Sequence, residues 1–264
     1  MQGPDLHQRH PGDAWIWLFA GTAEGPSLAA VLLNQGWRVR VSVVSSPAAR
    51  AYPKHPELEI RVGAYEHDLN LHQALHQLAP RWVVDATHPF AVVISERLQR
   101  VCGALNQPLL QLDRRQSAEP VPGERIEWID AVDDLAKLRL TRERLLLAIG
   151  VRQLTAAIAA TPNCRHFARV LDQPSSLQSA LAAGLPETQI ACLRPDPGES
   201  GDLEQALCRR WNISLVLCRQ GGGRSEALWR KVTLRLGLPL LLLRRPNGPT
   251  GLPLATLLEK LGEP

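Results

Sequence analysis

The sequence lacks any C-x-x-C pair, any apolar run long enough to cross a bilayer, and any dense basic tract interleaved with aromatic residues. Its five cysteines, Cys102, Cys164, Cys192, Cys208 and Cys218, are odd in number and scattered. This argues against a zinc site or a disulfide framework and for a reducing, cytoplasmic compartment. The most apolar stretch, LPLLLL at 238–243, is cut off by Arg244 and Arg245, far short of the roughly 20 residues that a spanning helix needs. Aromatic residues make up only 5%, and most of them are Trp. The formal charge of +4 and pI near 9.0 are therefore not a nucleic-acid signature, and they suit an anionic small-molecule partner. Residues 1–13 are polar, contain two prolines and lack an apolar centre. They are expected to form a disordered tail and not a signal peptide. What is present is ordinary globular material. With 45% hydrophobic and 21% charged residues over 264 positions, the chain can bury a core without metal or disulfide staples and has the length of two modest domains.

Short apolar runs alternate with helical segments almost from end to end. Strands are predicted at 14–20 (AWIWLFA), 38–44, 58–62, 81–85 and 108–112, with helices at 24–35, 68–79 and 91–105. Gly36 is placed to close the first helix in a left-handed cap. Residues 114–124 (RRQSAEPVPGE) break the rhythm and read as a linker. The rhythm then resumes, with strands at 126–129, 144–149, 166–171, 189–193, 213–218 and 238–243 and helices between them, including 201–211 and 225–236. Near-continuous apolar strands separated by helices predict an α/β protein of two wound parallel sheets, each covered on both faces. The expected divisions are the tail at 1–13, a first domain at 14–115 and a second at 116–264.

Four segments can carry chemistry. Gly21-Thr22-Ala23-Glu24-Gly25 follows the first strand directly. A sharp turn into a helix leaves free N–H groups that, with the helix dipole, attract a phosphate. The same pattern also makes an ordinary tight turn, since the full G-x-G-x-x-G is absent. At the end of the second strand, where an NAD site carries an acid for the ribose 2′-hydroxyl, the chain has Ser45, Ser46 and then Arg50. Hydroxyls and a guanidinium suit a 2′-phosphate, hence NADPH, with NADH as the alternative. The competing reading is a loop that starts a helix, with Arg50 solvated. Asp85-Ala86-Thr87-His88-Pro89-Phe90-Ala91 closes the fourth strand at the edge where wound sheets bind ligands. This makes Thr87 and His88 candidates, although a lone loop His is more often a cap. Arg219-Gln220-Gly221-Gly222-Gly223-Arg224-Ser225-Glu226 leads into a late helix. It reads either as a second anion cradle flanked by cations or as a flexible connector.

Taken together, these segments resemble the precorrin-6A reductase family, including its cobalt-precorrin-6A branch, of corrin-ring biosynthesis. The resemblance runs from about Trp15 to Pro246. Its most specific element is Asp85-Ala-Thr-His-Pro-Phe-Ala91, with Gly21-Thr22-x-Glu24 as the opening loop. Leu147-Ala148-Ile149-Gly150, Arg169-Val170 and Leu236-Gly237-Leu238-Pro239 with Arg245-Pro246 follow in order as weaker markers. The resemblance implies two Rossmann-like halves with a cleft between them. It implies hydride transfer from NAD(P)H to a double bond of an anionic tetrapyrrole, with a proton added at the neighbouring carbon.

On this basis Gly21, Thr22, Ala23, Glu24, Ser45, Ser46, Arg50 and Thr87 are expected at the cofactor. His88, Arg169, Arg219, Gly221, Gly222 and Arg224 are expected at the substrate's carboxylates, with His88 also the candidate catalytic residue. No metal, nucleic acid or membrane is expected. The late loop departs from the family, which often has Lys-x-Ser-Gly where this chain reads Cys218-Arg219-Gln220-Gly221. A Lys common on the following helix is replaced by Trp229 or displaced to Arg230 or Lys231. A reductase of the same fold with another substrate, and a dinucleotide-binding regulatory protein that has lost activity, are the alternatives.

Overall fold

The computed structural model describes residues 15–22, 24–113, 119–194, 200–246 and 251–264. The expected tail at 1–13 lies outside them. The chain divides into two compact units, Met1–Arg114 with Asn247–Pro264, and Arg115–Pro246.

The first unit runs β1 (Trp15–Ala20), α1 (Glu24–Asn34), β2 (Arg38–Val43), α2 (Ser46–Ala49), β3 (Leu58–Val62), α3 (Asp68–Leu78), β4 (Trp82–Ala86), α4 (Val92–Ala104) and β5 (Leu109–Gln111). All its strand pairs are parallel, in the order β3-β2-β1-β4-β5. β1 shows why the run AWIWLFA has no polar alternation. Ile16, Leu18 and Ala20 pack on one side with Leu28, Ala29 and Leu32 of α1. Trp17 and Phe19 pack on the other with Leu71, Leu75, Leu98 and Val101 of α3 and α4. Both faces of a central parallel strand are covered, so both must be apolar. α1 carries Glu24 in its first turn, where the helix dipole favours an acid. The chain turns out of this helix through Gly36, whose φ of +90° is left-handed. From β1 the sheet grows outward to β3 and then returns to add β4 on the other side of β1. That reversal leaves a crevice outside the carboxyl ends of β1 and β4, where Ala20 lies beside Ala86 in register.

The second unit runs β6 (Arg125–Ile129), a 3₁₀ segment (Val132–Leu138), β7 (Arg144–Ala148), a 3₁₀ turn (Val151–Gln153), α5 (Leu154–Ala160), β8 (Arg165–Leu171) and α6 (Pro174–Ala182). It continues with a 3₁₀ turn (Glu187–Gln189), β9 (Ile190–Leu193), α7 (Asp202–Arg210), β10 (Leu215–Arg219), α8 (Arg224–Leu236) and β11 (Pro239–Leu243). These six parallel strands stand in the order β6-β11-β10-β7-β8-β9. One face buries Leu146, Phe167, Val216, Cys218, Leu240 and Leu242 against Cys208, Trp211, Trp229 and Val232. The order reverses between β7 and β10, whose ends carry Ala148 beside Cys218.

The expected second domain at 116–264 needs correction at its end, because residues 247–264 belong with the first unit. Leu252 N–H donates to Gln111 O and Asp113 N–H donates to Leu252 O, both at 2.8 Å, which extends the first sheet by one bridge beside β5. A Cβ at Gly251 would lie 2.6 Å from Asp113 N, so the approach requires glycine. α9 (Leu254–Leu261) then buries Leu257 and Leu261 in the α1-side core. Each such leucine contributes about 1.5–3 kcal/mol. A reading of apolar rhythm groups neighbours in sequence, and a bridge one residue long does not show as a strand.

Candidate functional site

In the first unit, three of the expected segments leave adjacent strands at one edge of the sheet. β2, β1 and β4 are consecutive neighbours, and from their carboxyl ends come Ser45-Ser46, Gly21-Thr22 and Thr87-His88 respectively. Gly21 is exposed, and a Cβ built on it meets nothing within 4 Å. Space is thus left directly over the turn. Gly25 N–H closes that turn on Thr22 O at 3.1 Å. Gly25 is the opposite case to Gly21. A Cβ there would clash with the Tyr52 hydroxyl and lie 2.8 Å from Ala20 Cβ. Helix and strand therefore pack tightly just behind an open turn, a division of labour seen in dinucleotide-binding turns. Ala23 lies outside the described residues.

The β4 loop is held from below. Buried Asp85 accepts from Thr87 through one oxygen, Oδ1, which takes the backbone N–H at 3.0 Å and the hydroxyl at 2.6 Å. Thr87 Oγ1 also lies 3.3 Å from Ser95 Oγ of α4. His88 is half-buried, and its Nδ1 accepts the Phe90 N–H at 3.2 Å. A neutral imidazole that accepts at Nδ1 carries its proton on Nε2. Asp85 was not among the expected site residues. Its signal was present in the motif as an acid two positions before a hydroxyl, the spacing of an Asx-type turn.

Ser45 and Ser46 open α2, and Ser45 makes no side-chain cap there. Arg50 is exposed. It lines a recess of about 670 Å³ with Tyr52, Lys54, His55, Leu58 and Ile60.

The reversal of the second sheet is furnished differently. Arg219 ends β10, and its guanidinium is laid over Gly150, where a Cβ would lie 2.5 Å from Nη2. Gly150 has a φ of +76°, so both its conformation and its surroundings call for glycine. Burial lowers the pKa of Arg219 from its ordinary value, Cys218 acts against this, and Arg152 lowers it further. The last effect brings Arg152 into the neighbourhood. This exposed residue follows Gly150 by two positions, and the sequence reading passed over it because nothing in a three-residue turn marks a cation.

Arg169, Arg219 and Arg224 do not share one environment. Arg169 turns inward to Glu204 of α7 at 4.0 Å, with side-chain exposures of 13% and 1%. Burial lowers its pKa, opposed by Glu204 and Cys218. Arg169 thus stands beside a buried carboxylate that would otherwise be alone, and its Nε has no hydrogen-bond partner among the described residues.

The glycine loop is partly occupied from within. Gly222 N–H already donates to Glu226 Oε2 at 2.9 Å, so an internal carboxylate takes one of the donors expected to cradle a substrate. Arg224 stays exposed at the start of α8. Trp229 is fully buried in the core. Arg230 is buried against Glu124 at 2.6 Å and lies 3.9 Å from Glu226. Burial pushes the Cys218 thiol up to about 12, which removes it as a nucleophile. Among the described residues no three His, Cys, Asp or Glu side chains are grouped to hold a metal ion, and no helix is long and apolar enough to cross a membrane.

Three comparisons place the chain among known proteins. The profile of the family described as precorrin-6x reductase CbiJ/CobK matches residues 15–261. A cobalt-precorrin-6A reductase of Synechocystis sp. is 30% identical over 240 residues, covering 89% of each chain. A precorrin-6A reductase of Mycobacterium tuberculosis is 30% identical over 239 residues, covering 89% of this chain and 91% of its own. A solved structure of a CobK precorrin-6A reductase superposes with a TM-score of 0.77 at 24% identity, covering 94% of this chain and 98% of that one. It shares the fold, two parallel-sheet α/β units. With a family match that begins at β1 and ends in α9, this chain belongs to the precorrin-6x reductase family.

Proposed function

We propose that the protein reduces a carbon–carbon double bond of precorrin-6A or cobalt-precorrin-6A in cobalamin biosynthesis, with NADPH as hydride donor and NADH as the alternative. The observation that carries this reading is the family match over residues 15–261, with relatives named for both forms of the substrate.

The first unit fits a dinucleotide on its own geometry, because the open space over Gly21 lies at the start of a helix with close strand packing behind it. Gly21, Thr22 and Glu24 would hold the diphosphate and adjoining ribose, with Ala23 between them. Ser45, Ser46 and Arg50 would meet a 2′-phosphate, and Thr87 the part of the cofactor nearest β4. When bound, the nicotinamide supplies the hydride. The chain's contribution is placement in a site from which water is displaced. His88 keeps Nδ1 as an acceptor, so we assign its Nε2–H to orienting the macrocycle and leave the proton at the neighbouring carbon to solvent. Arg219 and Arg224, with Arg152, are the cations we assign to the substrate's carboxylates. The five free cysteines agree with work in the cytoplasm.

The test is anaerobic incubation with precorrin-6A or its cobalt form and each nicotinamide, followed by absorbance and product mass. Turnover should add one hydride and one proton, with a higher kcat/KM for NADPH. Cofactor binding without turnover of either macrocycle would favour the regulatory alternative. An equal or better kcat/KM with NADH would remove the 2′-phosphate assignment.

A further inference from the structure

Tyr52 belongs to neither of the segments that the proposed function uses, yet it joins them. It follows α2 by three residues and lines the recess with Arg50, Lys54 and His55. Its hydroxyl reaches the first turn of α1, where it touches Gly25. The residue is 9% exposed. The hydroxyl is buried and has no hydrogen-bond partner among the described residues. Burial pushes the phenol up to about 12, so it remains a neutral O–H donor throughout the working range of pH.

A buried donor without an acceptor is costly, and a phenylalanine would fill the same apolar space without that cost. The first turn of an eleven-residue helix is a place where anions bind, because N–H groups and the helix dipole converge there. We propose that the Tyr52 hydroxyl is a further ligand-binding donor, held beneath the Gly21–Gly25 turn for the phosphate-bearing ligand that the turn accepts. The ligand class is a nucleotide diphosphate or its ribose, bound by backbone N–H groups from above and by this phenol from the α2 side. The same side chain would tie the segment carrying Ser45, Ser46 and Arg50 to the turn, so that both ends of the ligand site move together. The proposal rests on the reading of this turn as the dinucleotide site.

The experiment titrates NADPH and NADH into the full-length protein, Tyr52→Phe and Gly21→Val, with thermal melting of each protein in the absence of ligand. Tyr52→Phe should weaken both nucleotides about tenfold, the effect of losing one hydrogen bond to a charged acceptor. Its ligand-free melting temperature should be unchanged or higher, because the lost hydroxyl had no partner to leave behind. Unchanged affinity in Tyr52→Phe, with binding lost in Gly21→Val, would overturn the role of Tyr52 and leave the site reading intact. Weaker binding together with a lower ligand-free melting temperature would also overturn it, since the hydroxyl would then be structural. Unchanged affinity in Gly21→Val would overturn the site reading and the Tyr52 proposal with it.

Discussion

Where β1 and β4 part, the chain leaves room. Where β7 and β10 part, it fills the place with charge. At the first reversal Gly21 faces open space, and the buried polar groups beside it are the Asp85 carboxylate, already taken up by Thr87, and the neutral Tyr52 phenol. At the second, Gly150 is occupied by the Arg219 guanidinium, Arg152 lies near it, and the adjoining glycine loop is taken up by Glu226. Two sheets wound in the same manner thus offer different chemistry at equivalent positions. One suits a ligand recognised by backbone donors and the other a ligand recognised by side-chain cations. Topology selects where a ligand binds, and the residues at the strand ends select which one.

The comparison is tested most severely at the charged group that supports the second reversal. Arg230→Ala removes the cation that Glu124 and Glu226 share among the described residues, leaving two carboxylates buried. It should cost about 3–5 kcal/mol, read by urea denaturation of the second unit. The same contact has a pH signature. Arg230 holds the Glu124 carboxyl below its usual range, so its contribution is present above the unfolded carboxylate range and is lost as pH falls through the depressed folded value. Glu124→Gln should flatten that acid-side loss of stability. An unchanged acid limb would show that the pair does not support the loop.

Gly21→Val comes next. Its Cβ meets no protein atom, so stability should hold while dinucleotide affinity falls about 10–100-fold through lost charge-assisted N–H contacts. Gly25→Ala should do the reverse, costing about 1–3 kcal/mol of stability through overpacking. If the two glycines behave alike, the contrast between open turn and tight helix start fails.

Arg219→Ala should raise the KM for the macrocycle about tenfold with little change in the KM for NADPH, and part of that effect should fade at high salt. A loss confined to NADPH would move this arginine to the cofactor. The smallest effect is expected at exposed Arg50. Arg50→Ala should raise the KM for NADPH by about 2–5-fold, as for an exposed ion pair, and leave NADH unchanged.

The sheets were legible because burial on both faces writes itself into the strands as unbroken apolar runs. Trp17 and Ile16 face opposite ways and are both fully buried, so β1 could be read without knowing its neighbours. The carboxyl-edge segments were legible for a related reason, since glycine and proline after a strand mark turns. Side-chain direction was not legible. Arg169 lies two residues before the end of β8 and Arg219 ends β10, yet one turns to Glu204 and the other lies over Gly150. The difference depends on which face of the sheet each row of the pleat presents. Tyr52 was passed over because its hydroxyl matters only through contact with a glycine 27 positions earlier. Glu226 closes the glycine-rich segment but carries no expected role, because an acid in the first turn of a helix looks like a dipole partner before it looks like the occupant of a neighbouring loop.

The return of residues 251–264 to the first unit has a consequence for biosynthesis. The whole second unit, Arg115–Pro246, leaves the ribosome before Leu257 and Leu261 do, and those two leucines complete the first core. The later-numbered unit can therefore fold first, while the earlier one waits with Ile16, Leu32 and Val39 uncovered by α9. During that interval the nascent chain exposes the apolar surface that Leu257 and Leu261 later cover.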